Sequence, residues 1–315
     1  MRAVPEGASP APAAKNIAAV GDLIPADIDL VLRLDLQRAR QSLGEEMSAD
    51  LIARAADAHE DDAVLAPALA RAEVAWLATR LDDLEAGDRI LALRLARRPR
   101  SREPEAPSSS PRGAAPPLPF GLRIDDAAWR RLRSHHGVRR YQRRRLRRER
   151  AETERIYVLG PRTTFFVSPV EVPAVERVIA DGPDETRIQP EARGIFSGVY
   201  RAGRWSPERV RAYPALAKLW RGLVRIEVVV SDRGDALELE GRLRCRTREE
   251  ASRWLQFLTA IRDGSAQTAY GPLVAKLELS RASSTVALRW PWSRAVLERV
   301  RDELAGSDPD NKSED

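Results

Sequence analysis

Cysteine is almost missing: Cys245 stands alone in 315 residues. An internal disulfide is therefore excluded, and so is a thiolate metal cluster within one chain. Histidine is nearly as scarce, with only His59, His135 and His136, and none has a partner at metal-ligand spacing. The acidic run Asp57–Asp62 around His59 reads as a solvated helix end more than a metal site. Lysine occurs only at Lys15, Lys218, Lys276 and Lys312, so arginine supplies nearly all of the 53 basic charges and the formal net charge of +6. That Arg-, Ala- and Leu-rich composition fits a GC-rich coding bias, which weakens any argument from arginine count alone. Aromatic residues make up only 5% of the chain. No run of 18 apolar residues exists, which excludes an apolar helical membrane span. There is no Gly-x-Gly-x-x-Gly, no Walker phosphate loop, no His-Glu-x-x-His and no Gly-x-Ser-x-Gly. No cofactor or metal is implied, and no catalytic residue is nominated.

What is present is periodicity. The clearest stretch is 223–263. Val224, Ile226, Val228 and Val230 form one β-branched face, and the run 231–235 supplies a turn. On the return strand Leu237, Leu239, Gly241, Leu243 and Cys245 alternate with Glu238, Glu240, Arg242, Arg244 and Arg246, so one face is expected dry and the other wet. Cys245 falls on the dry face and reads as a small core residue. Thr247 with Glu250 forms a capping box. Ala251, Trp254, Leu255, Leu258 and Ile261 then recur at helical spacing, and Gly264 is expected to end that helix.

Other segments read as copies of this unit or as connectors. Residues 1–21 are an Ala/Pro-rich leader expected to be disordered. In 28–36, Ile28, Leu30, Leu32, Leu34 and Leu36 alternate with Asp29, Val31, Arg33 and Asp35, which predicts a strand with one wet face. Ser48 is expected to cap a helix bearing Leu51, Ile52, Ala55 and Ala58. Hairpins are expected over 72–96, 155–168 and 273–290. Helices are expected around Trp129 and Leu132 (capped by Asp125 or Asp126), over 173–180, over 210–222 and over 293–304. The Pro-, Ser- and Arg-dense run 99–119 is read as a disordered insertion. The order hairpin, helix, hairpin, helix occurs over 72–180 and again over 224–304, which points to an internal duplication. The expected fold is α+β: two related modules of antiparallel β-hairpins covered by amphipathic helices. The first module spans 22–190 and the second 191–305, followed by an acidic tail, 306–315.

Ile24-Pro25-Ala26, Val31-Leu32-Arg33-Leu34-Asp35 and Tyr157-Val158-Leu159-Gly160 resemble segments of a group of uncharacterised exported bacterial proteins, often lipoproteins, built from duplicated α+β modules. The resemblance implies no activity. It implies a place in the periplasm or cell envelope if a signal peptide has been removed; otherwise the chain is expected in the cytoplasm.

One stretch could act on a partner. Arginines crowd 139–150, and Arg139, Arg140, Tyr141, Arg143, Arg145 and Arg147 are the candidates for contact with an anionic polymer or lipid headgroups. Glu149, Glu152 and Glu154 offset part of that charge, so an ordinary solvated sheet face is the competing reading. Trp290-Pro291-Trp292 is a second candidate contact surface, against a core role. The expectation is thus a non-enzymatic binding or scaffolding domain of the cell envelope with its ligand unnamed. The alternative is a nucleic-acid-binding protein using 139–150. Neither partner nor oligomeric state can be read from the residues.

Overall fold

A computed structural model describes residues 17, 19–44, 48–49, 65–81, 88–95, 119, 129–143, 154–203, 207–268 and 271–296. Twelve strands join in a single sheet: β1 (Leu30–Asp35), β2 (Ala72–Thr79), β3 (Ile90–Leu95), β4 (Trp129–His135), β5 (Val138–Arg143), β6 (Arg155–Leu159), β7 (Thr163–Val167), β8 (Phe196–Arg201), β9 (Leu223–Asp232), β10 (Ala236–Cys245), β11 (Glu278–Ala282) and β12 (Thr285–Ser293). Their order across the sheet is β11-β12-β10-β9-β8-β1-β2-β3-β7-β6-β5-β4. Every neighbouring pair is antiparallel. The class is α+β, as the alternating patterns imply.

The order contains a repeat. Outward from the centre one run reads β1-β2-β3-β7-β6 and the other β8-β9-β10-β12-β11. β2, with Val74, and β9, with Val228, thus hold equivalent places in the order, although the two valines face opposite sides of the sheet. The runs meet where β1 pairs with β8, register centred on Leu32 opposite Gly198. That junction is tight. A Cβ on Gly198 would lie 2.9 Å from Leu32 Cδ2 and 3.1 Å from Val228 Cγ2, so glycine lets the two halves abut. The hairpin β4–β5 extends the first run only.

Described helices are α1 (Leu36–Leu43), α2 (Leu65–Arg71), α3 (Val172–Asp181), α4 (Pro207–Ala212), α5 (Pro214–Trp220), α6 (Arg248–Ser265) and α7 (Gly271–Val274), with a 3-10 turn at Val20–Leu23. Asp35 caps α1 by accepting from Arg38 N at 3.0 Å, the expected use of Asp at an N-cap. The Thr247–Glu250 capping box is formed: Thr247 Oγ1 accepts from Glu250 N at 3.2 Å, and Thr247 N donates to Glu250 Oε2 at 3.0 Å. Gly264 lies inside α6, which runs on to Ser265 and is capped at Ala266. The helix expected over 210–222 is two short helices, broken where Pro214 restarts the chain after Tyr213. The largest correction is at Trp129 and Leu132, where a strand replaces the expected helix. β4 pairs with β5 through His136 and Gly137, at φ 45° and 76°. Two consecutive positive φ values make the primed turn that suits a two-residue hairpin. The segments 1–16, 50–64, 99–118 and 297–315, with most of the predicted leader and the predicted helices, insertion, acidic cluster and tail, lie outside the described residues; the end of the leader is ordered, because Val20 enters the 3-10 turn and packs in the core with Ile17 against it.

The sheet has two faces, and they are covered differently. One carries Leu34, Leu91, Leu93 and Phe166 under α1 and α2, and Tyr200, Leu243, Cys245 and Val286 under α5 and α6. The other is dry over the first run, where α3 and the 3-10 turn pack on Val31, Ala92, Tyr157, Phe165 and Val167, and onto β8, where Ser197 and Val199 are buried. β1 therefore has no wet side. Val31 is 0% exposed, Arg33 6% and Asp35 7%, where the sequence pattern predicted solvent.

Candidate functional site

Burying Arg33 creates a chemical problem, and the site grows from it. On β1, Arg33 lies opposite Trp76 of β2. Trp76 lies opposite Ala92 of β3, and Arg94 is the next β3 residue on that face. Both guanidinium groups approach the indole, with Arg33 Cζ 5.9 Å and Arg94 Cζ 5.3 Å from its ring centroid, within cation–π range. Arg33 Nη2 donates to Asp35 Oδ2 at 3.0 Å. Its Nη1 is buried without a hydrogen-bond partner, and so is Arg94 Nε. Among the described residues no carboxylate pairs with Arg94. Arg162, from the β6–β7 turn, donates through Nε to Leu95 O at 2.9 Å and through Nη2 to Glu73 Oε2 at 3.1 Å.

These three arginines line one cleft of about 620 Å³, a size typical of small-molecule sites. The sheet forms its floor with Arg33, Trp76 and Arg94. Around it stand the segment 17–24, the turn 159–163 and the loop 189–192. None of the described lining residues is Asp, Glu, His or Cys. Buried unpaired donors are costly unless an acceptor arrives. The described lining thus carries three arginines and no carboxylate.

The arginines singled out from the sequence are arranged otherwise. On β5 they alternate between faces, as a strand requires. Arg140 faces α3 and its Nη1 donates to Glu176 Oε2 at 2.5 Å. Glu176 also pairs with Arg155 and accepts from Tyr157 OH at 3.0 Å. Burial first, and the Glu176 charge second, push the Tyr157 phenol well above its ordinary pKa. Tyr141 is 6% exposed and packs with Ile156 and Val158. Arg139 Nη2 reaches Gly160 O at 3.5 Å, and Arg143 pairs with Glu154 at 3.3 Å. Arg145 and Arg147 lie outside the described residues. His135 and His136 sit at the β4–β5 turn with their rings edge-on, 4.1 Å apart. Trp290 and Trp292 belong to β12, and Trp290 Nε1 donates to Leu273 O at 2.6 Å. Cys245 is 3% exposed, and burial raises its thiol pKa to about 11.

Sequence reading missed the cleft because Arg33, Arg94 and Arg162 are distant along the chain. The one available signal was an arginine set between leucines on each of two strands, Leu32-Arg33-Leu34 and Leu93-Arg94-Leu95.

No protein-family model and no curated protein match this chain. Among solved structures it is similar to crystal form I of TP0453, with a TM-score of 0.51 and 12% identity over 92% of this chain and 98% of that one. Crystal form III of the same protein aligns with a TM-score of 0.49 and 12% identity, over 91% of this chain and 99% of that one. At such identity the likeness is one of fold alone.

Proposed function

We propose that this chain is a non-enzymatic binding domain of the bacterial cell envelope, and that it holds an anionic ligand in the Arg33–Trp76–Arg94 cleft. One observation carries the reading: Arg94, without a carboxylate partner among the described residues, stands beside buried Arg33, whose Nη1 lacks an acceptor. An incoming carboxylate or phosphate brings Arg94 a counter-charge, and guanidinium groups suit both by their fork of donors. The absence of Asp, Glu, His and Cys from the described lining favours holding over chemistry. The envelope location rests on the resemblance of 24–26, 31–35 and 157–160 to exported proteins. Nucleic-acid binding through 139–150 draws little support from β5, where Arg140 is tied to Glu176 and Tyr141 is core.

The test is thermal unfolding of the full chain in phosphate, sulfate and acetate, each against chloride at equal ionic strength. The expected result is a rise in Tm for at least one oxyanion, lost in Arg94→Gln. Equal Tm values in all four salts, or the same rise in Arg94→Gln, would overturn the reading.

A further inference from the structure

The cleft is chemically divided, and that division names its ligand more closely than charge alone. Its cationic groups Arg33 and Arg94 belong to the sheet floor. Its apolar lining belongs to the surrounding elements, Ile17, Val20 and Ile24 before β1, Leu159 and Pro161 at the β6–β7 turn, and Pro190 in the loop before β8, interspersed with Arg162, Thr163 and Gln189. A bare ion would meet the floor and leave Ile17, Leu159, Pro161 and Pro190 uncovered, Val20 and Ile24 being core already.

We propose that the occupant is an amphiphile with a single anionic head, a carboxylate or phosphate seated on Arg94, joined to an aliphatic body lying against the apolar rim. The inference rests on the anion-binding reading above and extends it. The Trp76 faces are engaged by the two guanidinium groups, so the aliphatic walls, and not an aromatic stack, receive the body. Arg162 stands at the mouth, already bound to Leu95 O and Glu73, and closes the side where the turn meets β3. Head and body are thereby read separately: the head by charge, the body by apolar area removed from water.

Calorimetric titration of the full chain at fixed ionic strength separates the two. The probes are acetate, hexanoate and octanoate; inorganic phosphate and hexyl phosphate; and octanol and octylamine as uncharged and cationic bodies. Affinity is expected to rise by up to about fourfold per buried methylene in the anion series, with octanol weak and octylamine silent. Comparing hexanoate with hexyl phosphate identifies the head. Arg94→Gln is expected to weaken every anion by about 10- to 100-fold. Leu159→Gln, at a half-buried wall position, is expected to flatten the chain-length dependence while leaving acetate and phosphate unchanged. Circular dichroism of both variants must match the parent. If acetate and phosphate bind as tightly as their longer homologues, the inference falls while the anion site stands. If octanol or octylamine binds as tightly as octanoate, or if no anion binds, both fall.

Discussion

The two runs of the sheet repeat one strand order, yet the same face is used in opposite ways. In the first run, β2 presents Val74, Trp76 and Ala78 to the face covered by α3 and the 3-10 turn. In the second, β9 presents Arg225, Glu227 and Val229 to it. β10 and β12 add Glu238, Glu240, Arg242 and Arg289 on that face. Glu238 receives Arg233 at 2.9 Å and Arg289 at 2.5 Å, and Arg233 reaches Glu240 at 3.0 Å. A lattice of mutual neutralisation thus occupies the face that, in the first run, holds a core and a cleft with an unpaired cation. Strand order alone therefore does not make a site. The site arises where a covering layer buries Arg33 with Asp35 and leaves half-buried Arg94 beside them without a carboxylate partner among the described residues.

The sharpest way to break this contrast is to substitute one residue in each run. Phe165 on β7 lies between Ala92 and Tyr157 and is 0% exposed; Ala287 on β12 lies between Arg242 and Ser280 at the equivalent place. Phe165→Ala is expected to cost about 3–5 kcal/mol, whereas Ala287→Lys should change stability by no more than about 0.5 kcal/mol. Urea unfolding measures both. Comparable losses would mean that the second run is also covered on this face.

How far the sequence carried this depends on which faces are dry. The β9–β10 hairpin and α6 were legible because their alternation, turn and capping box all agree. On β1 the alternation was equally clear but was misread. A period of two says that the faces differ, not that one is wet, and the lid over Val31 and Arg33 comes partly from α3, far along the chain. Trp129 and Leu132 are three residues apart, a helical spacing, yet the primed turn at His136-Gly137 commits them to a strand. The arginine-rich run drew attention by density. The cleft depends instead on three scattered arginines, and density along the chain does not register convergence in space.

The second run's dry face offers a chemical probe. Cys245 lies under α6, and burial, with a smaller contribution from the Glu250 charge, raises its thiol pKa from 9.0 to about 11. A raised folded value favours the native state below pH 9, and that advantage is lost as the pH climbs through the folded value. Because the thiolate is the reactive form, alkylation by iodoacetamide at pH 8 is expected to run at least about 100-fold slower in the native protein than in 6 M guanidinium chloride, since two pKa units separate the states. Mass spectrometry of the labelled chain measures it. Equal rates would show that α6 does not seal this face.

The seal can itself be loosened by a defined amount. Thr247 is the only described residue whose hydroxyl caps α6, so Thr247→Ala is expected to lower stability by about 1 kcal/mol. In the first run, α3 has Glu171 at its N-cap without a side-chain cap hydrogen bond, whereas α1 is capped by Asp35. Hydrogen exchange should locate the added opening in α6 and spare β2 and β3.

The smallest effect concerns the charged lattice. Arg289, hydrogen-bonded to Glu238, holds that carboxyl below the usual glutamate range against the opposing pull of burial, with Arg233 adding to it. Asp232 is lowered as well, first by the Ser42 hydroxyl and then by the Gly234 amide. A depressed folded pKa stabilises the protein above the ordinary carboxylate value, and the benefit disappears as pH falls through the folded value. Acidifying from pH 7 toward pH 3 should therefore loosen β9, β10 and β12 before β1, β2 and β3. Since Arg233 and Arg289 are more than half exposed, solvent screens the pairs and the change should be modest. Amide exchange along the two runs measures it, with Glu238→Gln flattening the pH dependence of β10. If the first run loosened first instead, the lattice would not be what holds the second run's open face together.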